Sequence, residues 1–249
     1  DRKFSARSRQ NQISNIEYPV QKIIVIIPAF NEANGIQNVI KDIPKNLVSE
    51  VIVVNNNSTD KTALNASNAG AMVLNELRKG YGYACLKGIE YAIQKPAIDR
   101  PDIIVFLDAD YSDYPREMTR LVLPILEEDY DMVIGSRMTG KREKGSMLPQ
   151  AIFGNWLATK LLRWLYGVRT TDLGPFRAVK FDKLLDLDMQ DKTFGWTVEM
   201  QVKAAKKKLK CCEIPVSYRK RIGVSKITGT VMGSIKAGLK ILWTIFRYL

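Results

Sequence analysis

The chain has 249 residues (28.2 kDa), 46% apolar and 26% charged, an ordinary globular composition for one α/β domain or two small ones. It contains no histidine, which excludes Ser-His-Asp and Cys-His nucleophilic machinery, imidazole bases and His-ligated zinc; the three cysteines (Cys85, Cys211, Cys212) form no disulfide framework and suit a reducing compartment. The net charge of +12 is lopsided, with 16 Lys and Arg against 18 Asp and Glu in residues 1–137 but 22 against 8 in residues 138–249. The basic half predicts a polyanionic partner, either nucleic acid or an anionic membrane surface; a solvated face such as Lys206–Lys208 is the plainer alternative.

Residues 1–20 are polar and basic, lack the apolar stretch of a secretory signal, and read as an extension. From Gln21 onward the apolar runs Ile23–Ile27, Val51–Val54, Ala71–Leu74, Ile103–Leu107 and Met132–Ile134 read as strands buried on both faces. Amphipathic stretches near 32–42, 61–69, 82–94 and 116–128 alternate with them as helices. Strand alternating with helix predicts an α/β fold with a doubly wound, mostly parallel sheet, in which ligands bind beyond the carboxyl ends of the strands.

Further on, Ala151–Tyr166 interleaves Ile152, Phe153, Trp156, Leu157, Leu161, Trp164 and Leu165 with Lys160 and Arg163. Val231–Leu249 places Ile235, Leu239, Leu242, Phe246 and Leu249 on one helical face and Lys236, Lys240 and Arg247 on another. Basic amphipathic helices bearing Trp and Phe are the pattern of in-plane membrane attachment, with ordinary core packing as the alternative. No uninterrupted apolar run reaches the ~18 residues that spanning requires. The expected organisation is an extension (1–20), a main α/β domain (21–230) and an amphipathic membrane-surface helix (231–249).

Three segments that follow predicted strands carry chemistry. Asp108-Ala109-Asp110 sets two carboxylates at the end of a buried strand, where a hard divalent cation with oxygen ligands would offset their repulsion; a solvated acidic loop containing Asp113 is the other reading. Pro28-Ala29-Phe30-Asn31-Glu32 ends the first strand, and helix capping explains its Asn but not its Glu. Asn55-Asn56-Asn57-Ser58-Thr59-Asp60 can cap the next helix, and its amides also suit a nucleobase or ribose edge. Gly80-Tyr81-Gly82 lacks a third glycine and does not follow the first strand, so a dinucleotide fingerprint is not expected; Lys79 could reach a phosphate from that loop.

Together these motifs resemble the family 2 glycosyltransferases. With Gly135-Ser136-Arg137, Thr171-Asp172-Leu173-Gly174-Pro175-Phe176-Arg177 and Arg221-Ile222-Gly223-Val224-Ser225-Lys226 they are similar to the branch that includes dolichol-phosphate mannose synthases and bacterial polyprenol-phosphate glycosyltransferases. The resemblance implies a nucleotide-sugar-binding domain of GT-A type. It implies donor contacts from Pro28, Phe30 and Glu32, recognition of base and ribose by Asn55 and Asn56 beside Val54, and Mn²⁺ or Mg²⁺ held near Ala109 by Asp108, Asp110 and Ser112. It further implies that Arg137 meets the acceptor phosphate and that Arg221, Ser225 and Lys226 close over the diphosphate. Asn stands at 55 and 56 where the family usually has Asp, and Ser112 replaces a longer amide.

The implied activity is inverting transfer of a hexose from GDP-mannose or UDP-glucose to a polyprenyl phosphate, by a peripheral protein at the cytoplasmic membrane face, with no nucleic-acid partner. A lipid phosphate is already an anion and needs no base, which suits a chain without histidine. The alternative, a soluble or glycan hydroxyl acceptor, would need one, and Glu199 is the candidate, with a helix-surface or salt-bridged carboxylate as the other reading of that residue. A non-catalytic polyanion-binding protein leaves the strand-end motifs unexplained, and a nucleotidyltransferase would want a glycine-rich loop after the first strand.

Overall fold

The computed structural model describes residues 21–223 and 231–249, excepting the side chains of residues 231 and 234. Seven strands form one sheet: β1 (Ile23–Ala29), β2 (Glu50–Asn55), β3 (Met72–Asn75), β4 (Ile103–Phe106), β5 (Met132–Ser136), β6 (Arg177–Lys180) and β7 (Cys211–Pro215), in the order β3-β2-β1-β4-β6-β5-β7. All pairings are parallel except those of β6, which runs antiparallel to both β4 and β5. The helices are α1 (Ile36–Asp42), α2 (Thr62–Asn68), α3 (Tyr81–Gln94), α4 (Met118–Glu128), α5 (Pro149–Tyr166), α6 (Phe181–Asp186), α7 (Trp196–Lys206) and α8 (Val231–Arg247).

Alternation along β1 shows how the layers arise. Ile23, Val25 and Ile27 pack on one side with Ile36, Val39 and Ile40 of α1 and Leu121, Val122 and Ile125 of α4. Ile24 and Ile26 pack on the other with Ala84, Cys85 and Ile89 of α3 and Trp196 and Met200 of α7. Gly88 of α3 rides directly on Ile26, where a Cβ would stand 2.7 Å from its side chain. A third cluster joins Ala158 and Leu162 of α5, Val198 and Val202 of α7 and Ile245 of α8 outside the sheet. The inner face of α8 is thus core, and its Lys240 pairs with the buried Asp191 at 2.8 Å instead of lying on an outward basic face.

The antiparallel β6 decides where the site is built. The carboxyl ends of β1, β2, β4, β5 and β7 and the amino end of β6 all emerge on one edge. Motifs more than 100 residues apart therefore meet there.

Candidate active site

The first two motifs are bound to each other. Asn31, at φ 54°, donates its N–H to Ser58 Oγ and accepts the Thr59 N–H on Oδ1. Glu32 N–H donates to Thr62 Oγ1 (2.8 Å), and Asp60 accepts the N–H groups of Ala33 and Thr62. Asn55 donates to Asn75 Oδ1 and accepts the Ser58 N–H. Asn56 donates to the carbonyls of Glu76 and Arg78 and accepts the Gly80 N–H. Both donors of Asn56 are thereby spent on the 76–80 loop, leaving one carbonyl lone pair for a ligand. Val54 lies wholly inside the sheet.

A cleft of about 310 Å³ opens over this edge, lined by Pro28, Phe30, Glu32, Asn56, Asp108, Ala109, Asp110 and Arg221, and by Lys79, Gly80, Tyr81, Thr193 and Phe194. Thr193 and Phe194 carry no sequence signal of their own. The trace that points to them is Gly80-Tyr81-Gly82. A Cβ at Gly80 would lie 2.2 Å from the Lys192 carbonyl, and one at Gly82 2.0 Å from the Asp191 carbonyl, so both glycines let the 191–195 loop lie on the start of α3.

Asp110 Oδ1 accepts the Ser112 N–H (2.9 Å) and hydroxyl (2.5 Å), which fixes the carboxylate; its Oδ2 turns to Arg221. Ser112 lines neither this cleft nor the cavity beside it. Asp108 Oδ1 is shut off from solvent with no partner at full hydrogen-bonding distance among the described residues, and the Tyr81 hydroxyl lies close enough to the carboxyl group to help hold its charged form. Burial and the Asp110 charge push Asp108 up to about 7 against the opposing pull of Arg221 and Arg137. Two carboxylates on one cleft, one with an orphaned oxygen, fit a hard cation. Among the described residues no three His, Cys, Asp or Glu side chains gather round one ion position, so further ligands would be substrate phosphate and water. Asp113 is 1% exposed with neither oxygen bonded, and burial and Asp108 raise it well above the usual carboxylate range.

A second cavity, about 620 Å³, adjoins the cleft and shares Tyr81, Asp108, Phe194 and Arg221 with it. Arg137 lines it, aimed by Asp172: Nε donates to Oδ2 (2.8 Å), Nη2 to Oδ1 (2.7 Å), and the Arg137 N–H also donates to Oδ2. Burial alone would raise Asp172, but the Arg137 guanidinium outweighs it and holds the carboxylate below its usual range. Asp172 is itself positioned, since Glu213 of β7 accepts its N–H and Gln201 of α7 donates to its carbonyl. Asn155 of α5 brackets it through Thr171 O and Leu173 N.

Glu199 does not belong to either cavity. It is fully buried, accepts the N–H groups of Gln190 and Asp191 and the Tyr248 hydroxyl, and pairs with Lys203 at 2.9 Å. Its oxygens hold the 188–195 loop and the end of α8, away from both cavities. Ser225 and Lys226 lie outside the described residues, as does the 1–20 extension.

Residues 24–187 match the model of the glycosyl transferase family 2. The chain is 32% identical over 215 residues to a dolichyl-phosphate hexose transferase of Haloferax volcanii, covering 85% of this chain and 89% of that protein. It is 27% identical over 227 residues to an undecaprenyl-phosphate mannosyltransferase of Micrococcus luteus, covering 85% and 90%. A glucosyl-3-phosphoglycerate synthase of Mycobacterium tuberculosis, solved with Mn²⁺, UDP-glucose and phosphoglyceric acid, superposes with a TM-score of 0.73 at 21% identity, covering 92% of this chain and 79% of that one. With its strand-end motifs gathered on one cleft, the chain belongs to glycosyl transferase family 2.

Proposed function

We propose that this glycosyltransferase moves a hexose, with inversion, from a nucleotide sugar to a polyprenyl phosphate. The observation that carries the reading is the second cavity. Its lining combines an apolar part, with Leu148, Ala151 and Gly154 at the α5 end and Ala237, Gly238 and Ile241 of α8, and a polar part that holds Asp108, Asn155, Tyr218, Lys220 and Arg221 with the Arg137 guanidinium. A Cβ at Gly154 or Gly238 would meet nothing within 4 Å among the described residues. An apolar slot ending in a cation suits an isoprenoid chain ending in a phosphate. The relatives that act on dolichyl and undecaprenyl phosphate support the same acceptor.

The donor's diphosphate lies in the smaller cleft, and Arg137 holds the acceptor phosphate across the shared wall. An acceptor phosphate oxygen attacks the anomeric carbon, the bond from that carbon to the diphosphate breaks, and its electron pair leaves on the β-phosphate. No proton has to be removed, so the chain's lack of histidine and the burial of Glu199 cost nothing. Arg137 and Arg221 hold two mutually repelling anions in line. A divalent cation on Asp108 and Asp110, such as the Mn²⁺ or Mg²⁺ of the solved neighbour, would offset charge on the leaving diphosphate.

Membrane contact belongs to the same proposal. The outward sides of α5 and α8 expose Phe153, Trp156, Trp164 (79%), Ile235, Leu239 (63%), Trp243 and Phe246 beside Lys160, Arg163, Lys236 and Arg247. No helix among the described residues is long and apolar enough to cross a membrane. Lateral docking would bring the slot to the acceptor's leaflet. The test offers UDP-glucose, UDP-N-acetylglucosamine and GDP-mannose with short polyprenyl phosphates and with 3-phosphoglycerate, reading product by mass. A glycosylated polyprenyl phosphate is expected; turnover of the soluble phosphate alone would replace this acceptor with a water-soluble one.

A further inference from the structure

Arg221 already stands where the site calls for positive charge. Its Nη2 lies 2.8 Å from Glu32 Oε1 and 3.2 Å from Asp110 Oδ2. Asp110 is 4% exposed, so little water screens the contact. Its Oδ1 is committed to Ser112, which leaves Oδ2, the oxygen under the guanidinium, as its open face to the cleft.

The backbone delivers the guanidinium there. Residues 219–222 run alongside the Asp110–Asp113 loop, with Arg219 N–H donating to Ser112 O and Ile222 N–H to Asp110 O, both at 2.9 Å. Arg219 locks the strip, stacked 3.4 Å from the Tyr111 ring centre and 4.1 Å from that of Tyr114 while donating to the carbonyls of Tyr111 and Asp113. The Arg221 side chain is 30% exposed, and its buried Nε has no hydrogen-bond partner among the described residues, which leaves a guanidinium donor for a further acceptor.

We infer that Arg221 is the resident counter-cation of the metal site. It holds Asp110 Oδ2 when no divalent ion is bound, competes with the ion for that oxygen, and is drawn away only when a nucleoside diphosphate offers it phosphate oxygens. The inference rests on Asp108 and Asp110 being the metal site. Two cations contending for one carboxylate oxygen repel each other, whereas a diphosphate supplies acceptors for both. Metal and nucleotide therefore bind with positive coupling, and linkage makes the coupling reciprocal.

The test measures Mn²⁺ binding to the full chain by loss of the free-ion electron paramagnetic resonance signal, with and without UDP, after subtracting the loss that UDP alone causes in protein-free solution. Wild type is expected to bind Mn²⁺ at least about tenfold more tightly when UDP is present. Arg221→Gln, similar in length but uncharged, is expected to bind Mn²⁺ alone about tenfold more tightly than wild type and to gain less from UDP. Arg221→Lys is expected to restore much of the competition. Equal or weaker binding of Mn²⁺ alone by Arg221→Gln overturns the inference, as does wild-type affinity indifferent to UDP, a measurement that needs no variant. Absence of Mn²⁺ binding in every chain, with UDP or without, removes the metal site and the inference together.

Discussion

Asp110 uses its two oxygens for two different jobs, and an amide can do only one of them. In Asp110→Asn the remaining carbonyl oxygen still accepts the Ser112 bonds that shape the turn, while a neutral NH₂ replaces the oxygen facing the cleft. Transfer and metal-dependent UDP binding are expected to fall at least about a hundredfold, since groups merely orienting a ligand cost up to that much. The circular dichroism melt should stay within a few degrees of wild type; full activity, or wild-type turnover in a chelator, would contradict the site. Arg137 invites a subtler change. Arg137→Ala would strand the fully buried Asp172 at a cost of about 3–5 kcal/mol, so Arg137→Lys is the better probe. Lysine keeps the charge and loses the fork, and should raise the acceptor KM about tenfold while leaving the donor KM near wild type. Equal rises in both KM values would place Arg137 on the donor side. The Asp-x-Asp pair was legible in the sequence because it follows a run of buried apolar residues. The Arg137–Asp172 clamp was not, because it joins residues 35 apart that come together only through the strand exchange at β6. Glu199 left two readings open, a base for a hydroxyl acceptor or a salt-bridged helix carboxylate, and its pairing with Lys203 and the Gln190 and Asp191 N–H groups favours the second.

At the scale of elements, the first five strands and the helices between them followed from apolar runs and their spacing, with bounds shifted by a few residues. β3, however, is an edge strand with Met72 exposed and is not buried on both faces as its apolar run suggested. β6 and β7 escaped. Arg-Ala-Val-Lys and Cys-Cys-Glu-Ile-Pro are short and mixed in polarity, and they are strands because of the neighbours that pair with them. α8 was legible as a helix, but its polarity is arranged differently from the expected two-faced one. Ala237, Thr244 and Ile245 face the protein, and Ile235, Leu239, Trp243 and Phe246 face outward, so it is apolar on two sides. Deleting the helix would mix lost core with lost surface. The double substitution Leu239→Glu with Trp243→Glu separates them. It is expected to abolish co-sedimentation with anionic vesicles, since burying such side chains contributes roughly 1.5–3 kcal/mol each at best. The melting temperature should hold, because both positions are about half exposed or more. Unchanged sedimentation would take the membrane from this face and leave it for another partner.

For the whole molecule, the lopsided charge and the two cavities make one argument about where catalysis occurs. The excess of 22 basic over 8 acidic residues after residue 137 includes Lys160, Arg163, Lys236 and Arg247 around the exposed apolar sides of α5 and α8. Each such cation near an anionic leaflet contributes about 1 kcal/mol, over a range of roughly 8 Å at physiological salt. Arg137, by contrast, pairs with Asp172 inside the protein and is largely shielded from salt. On the proposed function, docking on the leaflet and capture of the phosphate should therefore respond to ionic strength differently. With long-chain polyprenyl phosphate in anionic vesicles, raising salt from about 0.05 to 0.5 M is expected to lower transfer at least several-fold, and neutral vesicles should start from the lower rate. With a short, water-soluble polyprenyl phosphate the same change in salt should alter transfer less than about twofold. Parallel losses with both acceptors would trace the salt sensitivity to the active site and assign the basic half to substrate binding instead of docking. Salt insensitivity with both would show that the apolar faces alone bring the slot to the lipid.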